Sequence, residues 1–153
     1  MAEEDAPRSP KVMTRESILA LVDRRHAAWA AHDAPTLAAT HALKGVVISP
    51  TGGVLEGRDE IERVYRLWFS AFPDIGYAVD EILVDGERVV EVARLSGTHS
   101  GDFFGLAPTG RHVEVQVALV MAVADDLVVE ERRIYDFTGV LVQVGVLKAK
   151  PTL

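Results

Sequence analysis

The chain has 153 residues, 48% of them hydrophobic, enough for one globular domain with a buried core. A net charge of −7 and a pI near 5.2 argue against nucleic acid or an anionic membrane as the main partner, and no basic block reverses that. With no cysteine, disulfides, thiol nucleophiles and cysteine metal sites are excluded together.

In chain order, residues 1–13 read as a flexible tail, acidic and proline-bearing and unlike a signal peptide. No apolar run approaches the roughly 20 residues of a membrane helix, so a soluble cytoplasmic protein is expected. Residues 14–150 read as a single domain. Thr14 offers a cap for a helix reaching about His32, with Ile18, Leu21, Val22, Ala28 and Trp29 on one stripe. Arg25 and His32 fall on that stripe too. Either Arg25 snorkels along the core edge and His32 sits on a frayed last turn, or both line a cavity.

A short helix from Pro35 to about Leu43 places Leu37 and His41 on one face. Val46–Ser49 and Val54–Glu56 read as strands around a Pro50–Gly53 turn. Ile61, Val64, Tyr65, Trp68 and Phe72 give an amphipathic stripe for a third helix, from about Arg58 to Phe72, where Pro73 ends it. Strands follow at 76–84 and 87–99 around Asp85-Gly86, and at 111–123 and 127–136 around Asp125-Asp126. The loop at 100–110 carries Phe103, Phe104 and Leu106, too apolar to be purely solvated. This order predicts an α+β domain, a curved antiparallel sheet against three helices with a deep apolar pocket between.

Asp136 is the chemically suggestive residue. A two-residue turn at Asp125-Asp126 sets Asp136 opposite Val115, on the face of Val117, Leu119, Glu130, Arg132 and Ile134. There, desolvation would raise its pKa and make it a useful general base. A bulge or one-residue slip would exchange the two faces. The plain alternative is that Asp136 caps the segment after it. If the first helix buries its stripe, Arg25 needs a carboxylate, and Glu130 is the candidate. The opposite face, with Glu114, Gln116 and Arg133, suits a homodimer contact. The five histidines show no metal-ligand spacing, and no nucleotide or serine-hydrolase motif occurs, so no metal site is expected.

The stretch Ser96–Arg111 resembles the "GTHxGxFxGxxPTGR" segment of the SnoaL-like polyketide cyclases, within the NTF2-like superfamily. Phe72-Pro73-Asp74 is similar to that family's "FPD", and Glu131–Gly145 to its closing strand and "GLLxQLG" helix. The resemblance covers roughly residues 14–147. It implies an NTF2-like α+β cone, commonly oligomeric, with a deep apolar pocket. It also implies a cofactor-independent activity of polyketide-type secondary metabolism: intramolecular aldol cyclisation or a related isomerisation of an apolar carbonyl substrate. In the characterised cyclases an aspartate at the position of Asp136 is the general acid/base, and a tryptophan near Trp29 looks like a pocket residue. Those enzymes also carry a histidine on the preceding strand, where residues 117–123 here read VALVMAV. Relatives include hydroxylases and plain binding proteins. The expected site is thus Asp136 as acid/base, with Trp29, His41, Trp68, Phe104, Val115, Val117 and Ile134 around the substrate. The competing reading is a non-catalytic domain that binds a small apolar ligand.

Overall fold

The computed structural model describes residues 9–148. Residues 1–8 of the expected tail and 149–150 of the expected domain lie outside them. Residues near the start are tied down: Met13 is buried, and the Lys11 carbonyl accepts from the Asp125 N–H at 3.0 Å.

Helix α1 (Arg15–Ala30) starts on a reciprocal cap. Thr14 Oγ1 accepts from the Ser17 N–H at 3.1 Å, and Ser17 Oγ accepts from the Thr14 N–H at 2.9 Å. Helix α2 (Ala34–Ala39) is capped by Asp33 and is shorter than expected. His41 opens strand β1 (His41–Ser49) instead of closing the helix, because the Thr40 carbonyl accepts from Val128 at 2.8 Å and draws the chain into the sheet. Strand β2 (Gly53–Glu56) leads to α3 (Arg58–Ala71), whose Asp59 and Glu60 suit the positive end of the helix dipole. The buried stripe of α3 is Ile61, Val64, Tyr65, Trp68 and Ala71.

Strands β3 (Gly76–Asp85), β4 (Arg88–Thr98), β5 (His112–Ala124) and β6 (Leu127–Tyr135) follow, then helix α4 (Phe137–Gln143). The sheet order is β2-β1-β6-β5-β4-β3. The expected antiparallel sheet needs one correction, since β1 runs parallel to β6. The two strands are far apart in sequence, so local turn chemistry could not reveal their pairing. Helices α1, α2 and α3 pack against the inner face, giving the α+β layout.

The segments that carried the family resemblance are largely structural. The His99 N–H donates to Arg111 O at 2.9 Å and the Gly110 N–H to His99 O at 2.8 Å, closing the 100–110 loop on itself. The Asp74 carboxylate accepts from Thr98 N–H at 2.7 Å and Thr98 Oγ1 at 2.8 Å. Gly101 lies so close to the end of α3 that a Cβ would stand 2.2 Å from Ser70 O. On α4, the Gln143 amide accepts from Glu114 N–H at 2.8 Å and donates to Glu114 O at 2.9 Å. It takes the place of a neighbouring strand where β6 has already ended.

One irregularity rearranges the sheet face. Asp125 and Asp126 form the expected two-residue turn, both in the left-handed region (φ 53° and 60°), and Ala124 pairs with Leu127 and Val123 with Val128. The next pair is Ala122 with Glu130, which leaves Val129 unpaired as a β-bulge. From there every side chain of β6 takes the face opposite to the expected one. Glu131 is fully buried, while Ile134 is 52% exposed.

Candidate functional site

The inner face of the sheet and the helices above it enclose a cavity. It has about 430 Å³ of empty space out to its mouth, of which about 30 Å³ is open to the centre of a water molecule. Trp29 of α1 and Tyr65 and Trp68 of α3 roof it. Tyr77, Leu95, Val117 and Leu119 come from β3, β4 and β5, and Glu131, Arg133 and Tyr135 from β6. The Trp29 ring stacks on Tyr77 with centroids 4.9 Å apart, and meets Tyr65 and Phe69 edge-on. The walls are aromatic and apolar, with the polar groups gathered on β6.

Those polar groups belong to a buried network reached from α1. Arg25, 1% exposed, donates from Nη2 to Glu131 Oε1 at 2.6 Å, and from Nη1 to Thr40 Oγ1 at 2.7 Å and His41 Nε2 at 3.1 Å. The other Glu131 oxygen, Oε2, accepts from Arg133 Nε at 2.7 Å. The Arg133 guanidinium lies over the Tyr65 ring, 4.8 Å from its centroid. Arg25 therefore has the buried carboxylate partner that its place on the stripe required. The partner is Glu131 and not Glu130, because of the Val129 bulge.

The electrostatics follow from these contacts. Burial works against the Glu131 charge, but the guanidinium groups of Arg133 and Arg25 outweigh it and hold the carboxyl at about 2. Burial, reinforced by the Arg25 charge, drives the His41 imidazole down to about 3, so it is neutral. Its Nε2 faces the Arg25 donor, which places the proton on Nδ1. Burial pushes the Tyr135 hydroxyl up, and its hydrogen bond with Thr51 Oγ1, at 2.5 Å, partly opposes that. A second buried carboxylate, Glu91 on β4, is engaged by His26 of α1 and by Tyr77 Oη.

Trp29, Trp68 and Val117 stand on the cavity wall. Val115 faces a neighbouring crevice with Phe72 and Ile75. His41 lies behind Tyr65 within the Arg25 network and does not reach the cavity. Phe104, 40% exposed, packs on Phe103 in the 100–110 loop. Ile134 and Asp136 border a shallow depression on the outer face with Gln116 and Ala118. The expected cavity position of Asp136 is thus corrected: the residue is exposed, and its Oδ1 accepts from the Gly139 N–H at 2.9 Å as the N-cap of α4. Arg133 is corrected the other way, from the expected outer contact face to the cavity. Glu131, Arg133, Tyr135 and Glu91 were missed. The signal for the first was present in Arg25, whose buried charge demanded a carboxylate on the facing strand.

The sequence matches the model of the SnoaL-like polyketide cyclases over residues 20–144. The chain belongs to the SnoaL-like polyketide cyclase family. Among curated proteins none matches. A proposed SnoaL-like polyketide cyclase from Jannaschia sp. CCS1 is 26% identical with a TM-score of 0.79, over 94% of this chain and 99% of that one. AclR from Streptomyces galilaeus, a proposed hydroxylase, is 25% identical with a TM-score of 0.78, over 90% and 91% of the two chains. An NTF2-like protein from Burkholderia thailandensis E264 is 26% identical with a TM-score of 0.68, over 85% and 95%. This SnoaL-like chain therefore has the NTF2-like fold. Among its described residues no helix is long and apolar enough to cross a membrane.

Proposed function

We propose that this chain holds a small, flat, largely apolar carbonyl compound of the polyketide type in the cavity beneath α1, without a cofactor. The observation that carries the reading is the cavity itself: stacked and edge-on aromatic rings on its walls, with the donors of Arg133 and Tyr135 on one strand. Rings of this kind accept a flat apolar skeleton, and a few placed polar groups orient its carbonyl. The family match and the solved relatives support the same ligand class. The carboxylate on the wall, Glu131, has one oxygen on each of two guanidinium groups and is a poor base. The arrangement suits binding and polarising a carbonyl better than abstracting a proton.

A second reading keeps the enzyme, as the family description favours. In it Asp136 is general acid/base for an aldol cyclisation or isomerisation, or the chain is a hydroxylase as AclR is proposed to be. A homodimer through the outer sheet face, with Glu114 and Gln116 near the contact, belongs to either reading.

Titration with 2-acetylnaphthalene, followed by the fluorescence of Trp29 and Trp68, separates them. A saturable change is expected in the parent and in Asp136→Asn, and is expected to vanish in Val117→Phe, which fills the cavity. Binding lost in Asp136→Asn and kept in Val117→Phe would contradict the cavity reading. If the parent turns over a polyketide substrate and Asp136→Asn loses about 10²–10⁴-fold, the second reading stands instead.

A further inference from the structure

Two buried guanidinium groups share one carboxylate beside the cavity. Arg25, Glu131 and Arg133 form a buried trio of two cations and one anion, with Glu131 satisfying one guanidinium on each oxygen. His41 beside them is neutral, and the next buried carboxylate, Glu91, contacts His26 and Tyr77 and favours the Arg25 charge from a distance without touching Arg133. Arg25 uses both of its terminal nitrogens on Thr40, His41, Tyr65 and Glu131. Arg133 differs. Its side chain is 10% exposed and lines the cavity, and Nε is its one hydrogen-bonding atom among the described residues. Its Nη2 is buried with no partner there.

A buried guanidinium edge without an acceptor is strongly unfavourable, and on a cavity wall the acceptor is a water or a ligand oxygen that displaces it. Here the flat edge stands among aromatic rings, held from behind by Glu131 and from the side by Tyr65. Resting on the ligand-cavity reading above, we propose that Arg133 is the anchor for an anionic oxygen carried on a flat apolar skeleton. The acceptor is a carboxylate or an ionised enol, either of which matches the guanidinium fork and neutralises the trio. The preferred ligand is then an acidic aromatic compound, not a neutral one. Tyr135 and Leu119 flank the anchor on neighbouring wall positions, so the anionic end lies at the β6 side and the rings lie towards Trp29 and Tyr77.

The test is calorimetry with 2-naphthoate, its neutral amide 2-naphthamide and the acidic enol 2-hydroxy-1,4-naphthoquinone, on the full chain and on Arg133→Gln and Arg133→Lys. The parent is expected to bind 2-naphthoate at least about tenfold tighter than the amide. Arg133→Gln should erase that preference, and Arg133→Lys should keep part of it, since the charge remains while the fork is lost. The comparison of acid with amide on the parent needs no variant, so it holds even if a substitution impairs folding. A larger loss for 2-naphthoate than for the quinone in Arg133→Gln assigns the site to carboxylates, and the reverse assigns it to enolates. Equal binding of acid and amide to the parent, or an unchanged preference in Arg133→Gln, overturns the inference and leaves the cavity reading intact. Absence of binding by all three compounds overturns both.

Discussion

The two faces of β6 carry similar residue types and meet opposite fates. Glu130, Arg132 and Ile134 face out, with Ile134 52% exposed, while Glu131, Arg133 and Tyr135 face the cavity, with Glu131 fully buried. Hydrophobicity alone barely separates the two arrangements, since each face carries one Glu and one Arg and only Ile134 against Tyr135 favours the other one. The choice is made by the unpaired Val129 and by Arg25, which waits on α1 for a carboxylate. A buried charge can therefore report strand register when the apolar pattern is ambiguous. The same exchange leaves Asp136 outside as a helix cap.

The contrast should be visible first in stability. Glu131→Gln leaves two buried guanidinium groups without a counter-ion and is expected to cost about 3–5 kcal/mol in urea unfolding. Glu130→Gln, one residue away on the exposed face, should stay within about 0.5 kcal/mol. Arg25→Met leaves a one-to-one Glu131–Arg133 pair, so its cost should be smaller, about 2–3 kcal/mol, even though contacts to Thr40 and His41 are also lost. Equal effects at 130 and 131 would mean that the faces are not distinguished.

Acid should strain the inner face and leave the outer one indifferent. The His41 imidazole ionises at about 3 in the fold against 6.5 in the open chain, so between these values the unfolded state binds the extra proton. Its contribution is complete above about pH 6.5 and is lost as pH falls towards 3, at no more than about 1.4 kcal/mol per pH unit. Glu131, held at about 2 against 4.5, adds a loss over the window below 4.5. Stability measured by denaturant from pH 7 to 4 should fall in the parent and fall less steeply in His41→Gln down to about pH 5. A parallel decline in both proteins would remove His41 from the explanation.

The smallest effect belongs to Asp136. Asp136→Ala should cost about 1 kcal/mol, the value of a helix cap, while Asp136→Asn, also a good cap, should cost little. Binding of a cavity ligand should change in neither.

Much of the fold was legible in the sequence because its signals are local. The α3 stripe of Ile61, Val64, Tyr65 and Trp68, the Thr14 cap and the Asp125-Asp126 turn all depend on neighbours a few residues apart. The parallel β1–β6 pair was not legible, since His41 and Val128 meet only in the folded chain. On the site, α-helical periodicity put Trp29 and Trp68 on inward stripes and the regular alternation of β5 turned Val117 inward, while the pocket role of Trp29 was what the family resemblance implied. Arg133 was misplaced and Tyr135 overlooked because a single extra residue within a pair of valines leaves no mark in composition. In Val128-Val129-Glu130-Glu131 a bulge at Val129 is as compatible with the pattern as regular pairing. The family resemblance did not resolve it either, because its loop and α4 motifs lie away from the cavity and its match to the closing strand carries no register.

Thiol reactivity tests the exchanged faces most directly, and the absence of native cysteine makes the measurement clean. Ile134→Cys and Tyr135→Cys would be prepared separately and their modification rates by a charged, membrane-impermeant maleimide compared under native conditions. Cys at 134 should react at least about tenfold faster than Cys at 135, because 134 lies on the open outer face and 135 on the cavity wall. Faster reaction at 135 would show that β6 pairs without the bulge, that Ile134 and Asp136 face inward, and that the site is built around Asp136 after all.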